Sequence, residues 1–175
     1  MTAEPTEVPT TEWGERRTKV VEWHDPAPTT AAGLSMAGID YLRAMVDGTL
    51  PPPPISGLMA FGMVSAEPGR VVFDCTPDES AFNPIGAIHG GLVCTLLDSV
   101  AGCALHSTLP QGKGYTSIEI KVNYLKAVRL ANGPLTATGT VVKAGSRVGF
   151  TEGVVTDANG AVVATATSTL LVFDL

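Results

Sequence analysis

A chain of 175 residues with 45% hydrophobic content supports one core of ordinary size and is short for two. Its net charge of −6 excludes a broad electrostatic footprint for nucleic acid, because phosphate backbones are met by clustered Lys and Arg. Cys75, Cys94 and Cys103 are odd in number and lack metal-ligand spacing, no apolar run approaches the roughly 20 residues of a membrane span, and no basic start precedes an apolar stretch. A cytoplasmic protein with free thiols, no metal and no membrane partner is expected.

Residues 1–32 read as an N-terminal extension, partly disordered, and 33–175 as the folded domain. The first 12 or so residues are rich in Thr, Pro and Glu without periodicity, which marks a disordered tail. Arg16 to Trp23 fits a short strand or extended arm, with Trp13 and Trp23 as anchors to the body, and Asp25-Pro26 through Thr30 reads as loop. Ser35 then serves as the expected N-cap of a helix running to about Val46 and ended by Gly48. Gly33-Leu34-Ser35-Met36-Ala37 fails as a nucleophile elbow, since Ala37 stands where G-x-S-x-G needs glycine. The run Pro51 to Pro54 predicts an extended polyproline connection.

Strand signals start at Leu58. Leu58 to Ala66, a turn at Glu67-Pro68-Gly69 and Arg70 to Thr76 form a hairpin pattern. A second series, Tyr115 to Leu125, Pro134 to Val142, Val148 to Thr156 and Val162 to Phe173, is separated by Asn-, Asp- and Gly-containing turns and predicts an antiparallel meander. Between the two series, His89 to about His106 has apolar residues around most of a helical wheel, which predicts an enclosed helix. The expected class is therefore α+β: a curled antiparallel sheet of about six strands wrapped around one long central helix, with an extra N-terminal helix.

From Ser80 to Gly112 the only fixed charge is Asp98, inside the apolar helix. Burial of an unpaired carboxylate costs several kcal/mol or drives it towards its neutral form, so a chemical role is the natural expectation. The alternative is a structural carboxylate bonded to Thr95 or Ser99. Cys94 and Cys103, about 13 Å apart on one helix, cannot bridge each other. His106 lies three residues from Cys103, but nothing in the pattern marks an activated thiolate. Gly112-Lys113-Gly114 lacks the spacing and the following Ser or Thr of a phosphate loop.

The spacing Asn83-x-x-Gly86-x-x-His89-Gly90-Gly91 followed by Asp98, together with the strand order and Leu50-Pro51-Pro52-Pro53-Pro54, resembles the hotdog-fold thioesterases of the phenylacetate-degradation (PaaI-like) type. The resemblance covers roughly residues 33 to 173. It implies hydrolysis of an acyl-CoA thioester with no metal or organic cofactor, by a homodimer or a dimer of dimers. It also implies that Asp98 acts as general base or nucleophile and that the Gly90 N–H polarises the thioester carbonyl. Asn83 and His89 match residues that position the thioester or water and support the loop. Ser117, with Thr116 competing, falls near a position where relatives place a hydroxyl beside the water. The competing function is a non-catalytic acyl-CoA binding or sensing module, and a hotdog hydratase is weaker because those relatives carry a different Asp and His signature.

Physical chemistry reaches similar roles. The helix start at Gly90 and Gly91 offers unpaired N–H groups, the positive end of the macrodipole and no side chain in the way of an acyl oxygen. On an ideal helix Asp98 lies about 12 Å along the axis from Gly90 and is rotated by about 80°. One reacting carbon cannot be about 3 Å from both. If both act on it, Gly90 of one chain must meet Asp98 of another, which predicts an obligate dimer with composite sites.

Overall fold

The computed structural model describes residues 14–175. Its elements are α1 (Pro26–Leu34), α2 (Gly38–Val46), α3 (Pro54–Met59), β1 (Phe61–Glu67), β2 (Arg70–Cys75), α4 (Gly90–His106), β3 (Lys113–Tyr124), β4 (Leu135–Ala144), β5 (Val148–Thr156) and β6 (Val162–Asp174). The six strands form one antiparallel sheet in the order β1-β2-β4-β5-β6-β3, curled around α4. The expected meander of the second series is corrected. β4, β5 and β6 are successive neighbours, as are β1 and β2, but β3 lies beyond them, pairing with β6 over Lys113–Tyr124, which leaves β4 beside β2.

The long helix is enclosed as its wheel predicts. Leu96, Leu97, Val100 and Leu105 are wholly buried, each contributing about 1.5–3 kcal/mol relative to an exposed side chain. Close approach to the sheet depends on Gly139, where a Cβ would fall 2.1 Å from the Val100 carbonyl oxygen.

The N-terminal third departs from expectation. Asp25 to Thr30 is not loop: Asp25 caps α1 through its side chain, accepting from the Ala27 N–H at 2.9 Å, and Pro26 supplies the preset first helical position. Ser35 therefore ends α1 and does not start the next helix, which begins at Gly38 after Ala37 with no side-chain cap. Gly38 sits there because α2 packs on the end of α4, where a Cβ would meet the His106 carbonyl oxygen at 1.9 Å. Pro51–Pro53 are extended as predicted, but Pro54 opens α3, so Leu58 is helical and the first strand starts at Phe61. Residues 14–25 form an extended arm without a strand, and Trp23 is 63% exposed, so it does not anchor the arm. Trp13 and the expected disordered tail lie outside the described residues. No helix among the described residues is long and apolar enough to cross a membrane.

Candidate active site

Asp98 projects from the middle of α4 toward β3, where the Ser117 hydroxyl donates to its Oδ1 at 2.7 Å. In the single protomer Asp98 is exposed, which corrects the expectation of a carboxylate sealed in the core. The wheel around it is apolar, but its own position faces a gap between the two edges of the curled sheet.

A break in strand register decides which hydroxyl reaches Asp98. Ser117 pairs with Leu170 and Glu119 with Thr169, so Ile118 is an extra residue, a β-bulge. Side chains alternate between faces along a strand. Ile120 and Val122 pack on the core, and without the bulge Thr116 would share their face. The extra residue shifts the phase and turns Tyr115 and Ser117 toward α4, leaving Thr116 exposed on the other face.

Asp98 and Ser117 stand at one end of a cavity of about 300 Å³. Its walls are chiefly apolar: Leu42 and Met45 from α2, Phe61 and Met63 from β1, and Phe73 from β2. The cavity thus lies at the seam where both edges of the sheet, β1 and β3, approach α4. Sequence reasoning missed the α2 and β1 contributions, because nothing local says that these elements close over the Asp98 face of a helix some 35 to 55 residues downstream.

Cys103 also lines this cavity, but burial pushes its thiol up to about 12, so no thiolate is available and the Cys103–His106 pair is inert as a nucleophile system. Cys75 is likewise buried and pushed up to about 11, and all three cysteines are free.

The start of α4 is built differently. His89 is its N-cap, and its Nδ1 accepts the Gly91 N–H at 2.8 Å. That bond corrects the expected role of Gly91: its N–H is consumed by the cap and is not free to bind an anion. The Gly90 N–H has no hydrogen-bond partner among the described residues. Asn83 holds the preceding loop, its Oδ1 accepting from the N–H groups of Ile85 at 3.1 Å and Ala87 at 3.0 Å, while Gly86 takes a positive φ of 74° to close the turn. The loop is tied to the helix start where the His89 N–H donates to the Ala81 carbonyl at 2.8 Å. Tyr124, a residue the sequence pattern did not single out, donates its hydroxyl to the Gly90 carbonyl at 3.0 Å and lays its ring beside Gly90.

Gly90 and Asn83 open into a recess lined by Tyr124 and Leu125, whereas Asp98 and Ser117 open into the apolar cavity. Both residues lie on the unbroken helix Gly90–His106, so the separation of about 12 Å predicted from helix rise applies.

Residues 85–164, from the loop before α4 into β6, match the family described as the thioesterase superfamily. The human acyl-coenzyme A thioesterase 13 is 34% identical over 89 residues, 51% of this chain and 62% of that protein, so the chain spans less than two thirds of the length of this relative. The structure of smu.793 from Streptococcus mutans bound to acetyl CoA is 32% identical, covers 65% of this chain and 89% of that one, and superposes with a TM-score of 0.60. A thioesterase family protein from Silicibacter pomeroyi, 24% identical, covers 77% and 99% with a TM-score of 0.69 and shares the fold.

Proposed function

The chain belongs to the thioesterase superfamily, with a PaaI-like hotdog fold, and on that premise we propose that it hydrolyses an acyl-CoA thioester to a free acid and CoA. The observation that carries this reading is the Ser117–Asp98 pair at the exposed end of an apolar cavity. A carboxylate held by one hydroxyl keeps its second oxygen for water, and the cavity offers an apolar acyl group a place out of solvent.

In the proposed reaction, Asp98 takes a proton from water as the water oxygen bonds to the thioester carbon. The carbonyl oxygen becomes an oxyanion held by the Gly90 N–H at the positive end of α4, a kind of contact worth about 3–4 kcal/mol. The C–S bond then breaks, and the proton passes to the leaving CoA thiolate. A nucleophilic Asp98, forming an anhydride that water opens, gives the same products. His89 and Asn83 shape the Gly90 loop, and Ser117 positions the carboxylate. No metal or organic cofactor enters either route.

Since Gly90 and Asp98 face different recesses of one protomer, the complete site is composite, with Gly90 from one chain and Asp98 from another. The open edge of β3 supports a homodimer: among the described residues this 12-residue strand pairs in the sheet with β6 and with no other strand, and Ile118 and Tyr124 are 57% and 55% exposed along it. A dimer of dimers extends the same reading. Free thiols accord with a cytoplasmic location.

The test is release of CoA thiol from a panel of acyl-CoAs, wild type beside Asp98→Asn. Turnover that disappears in a folded Asp98→Asn protein supports hydrolysis. No turnover by wild type across the panel sinks it in favour of an acyl-CoA binding module.

A further inference from the structure

The apolar cavity has a direction. On α4 it is lined by Asp98 and Ser99 at the exposed end, then Cys103, then His106, and Ser99, Cys103 and His106 share one helical face. Asp98 and His106 are therefore about 12 Å apart along the axis. The His106 end is closed by α2: the Gly38 N–H donates to the Leu109 carbonyl at 3.0 Å, and the Gly38 Cα rests against His106.

This closed end is polar, unlike the walls. The His106 ring lies between Tyr41, with centroids 5.7 Å apart, and Tyr115, at 5.4 Å. Among the described residues, neither the His106 ring nor the Tyr41 hydroxyl makes a hydrogen bond. Tyr41 and His106 are half-buried and keep accessible surface, so these polar groups stay open to a ligand that supplies the missing partner. Burial lowers the His106 pKa, so the ring at neutral pH is uncharged, with one donor and one acceptor nitrogen. No Lys or Arg lines the cavity, so nothing there would balance a carboxylate.

Resting on the thioesterase reading above, we propose that this cavity selects medium-length acyl groups ending in an uncharged hydrogen-bonding group, such as a terminal hydroxyl, which His106 reads at the closed end. An extended chain advances roughly 1.2 Å per bond, so an acyl group of about eight carbons with a terminal oxygen spans most of the distance from Asp98 to His106. The cavity volume of about 300 Å³ holds such a group, at roughly 30 Å³ for each water-sized unit.

Three CoA esters of equal chain length test this: octanoyl, 8-hydroxyoctanoyl and the eight-carbon dicarboxylic half-ester. Wild-type kcat/KM is expected to favour 8-hydroxyoctanoyl over octanoyl by about tenfold, the scale of one buried hydrogen bond, and to rank the dicarboxylate last. His106→Leu should level or reverse the first ratio, and His106→Gln, which keeps a donor and an acceptor, should retain it. A merely structural His106 would depress both substrates alike. Dissociation constants of the same esters for Asp98→Asn give the selectivity without turnover. A retained binding preference with no wild-type hydrolysis upholds the selectivity and overturns the hydrolase reading. Hydrolysis with a ratio near one, or a ratio unchanged in His106→Leu, overturns the selectivity alone.

Discussion

The Ser117 hydroxyl reaches across from the edge strand β3 to Asp98 Oδ1 at 2.7 Å, joining a strand bulge to the middle of the central helix. That bond orients a carboxylate that its own helix leaves exposed.

Replacing Ser117 tests the orientation. Ser117→Ala is expected to lower kcat by about 10- to 100-fold, the scale of a hydrogen bond to a charged group. Ser117→Thr should recover much of the loss, and Thr116→Ala, on the opposite face, should leave steady-state rates within about twofold because surface changes are usually small. Equal losses in Ser117→Ala and Thr116→Ala would contradict the bulge-set phase.

Asp98→Asn should remove chemistry while sparing the fold. A positioned general base contributes about 10² to 10⁴ in rate, so thiol release should fall by at least two orders of magnitude. Thermal unfolding should stay within about 0.5 kcal/mol of wild type, since the side chain is exposed in the protomer. A large drop in stability with residual activity intact would assign Asp98 a structural task.

Composite sites predict complementation. In Gly90→Ala the new Cβ lies 3.2 Å from the Tyr124 ring and crowds the acyl oxygen site, so that variant, like Asp98→Asn, should be nearly inactive alone. Co-expressed, the two should recover about a quarter of wild-type activity, because half the random dimers are mixed and each restores one of two sites. Sites confined to one protomer would recover nothing.

His89 is expected to act mainly on stability. His89→Ala removes the cap on Gly91 and should cost about 0.5–2 kcal/mol, read as a lower denaturant midpoint at unchanged slope, with His89→Asn closer to wild type.

A pH effect separates from the site at Asp157. Its Oδ2 accepts from Lys126 Nζ at 2.7 Å and its Oδ1 from the N–H groups of Asn159 and Ala161, both at 3.0 Å. The bond from Lys126 is the largest influence holding this carboxyl below its ordinary value of 3.8. A depressed folded pKa contributes stability above the unfolded pKa that is lost as pH falls through the folded one. Asp157→Asn should therefore be less stable than wild type at pH 7, with the gap narrowing below about pH 4, as followed by urea unfolding at each pH. A gap independent of pH would mean that shape, not charge, holds the turn.

Much of this was legible locally. The β5 bounds, the turn at Glu67-Pro68-Gly69 and the enclosed helix follow from alternation, turn chemistry and a wheel without a polar face, all short-range signals. The α1 helix was not legible as read, because Asp25-Pro26 serves equally as a loop start and as cap and first residue of a helix. Among the proposed site residues, Asp98 stood out as the lone charge of its helix, and Gly90, His89 and Asn83 through the resemblance to the PaaI-like family. Tyr124 and His106 did not, since each meets its partners only through long-range packing.

By itself, the sequence determined the inventory: one apolar helix with a single carboxylate, a glycine at its start, strands on either side, and a helical rise that keeps Gly90 and Asp98 apart. Tertiary structure decided what faces what. Strict alternation back from Ile120 would have aimed Thr116 at the helix, and only the bulge at Ile118, a feature of pairing with β6, aims Ser117 there. Likewise, Asp98 looked buried in a list of apolar neighbours and is exposed in the protomer, because the curled sheet stops short of closing over that part of α4. Spacing along a chain sets distances within one element, whereas register and closure depend on partners far away in sequence.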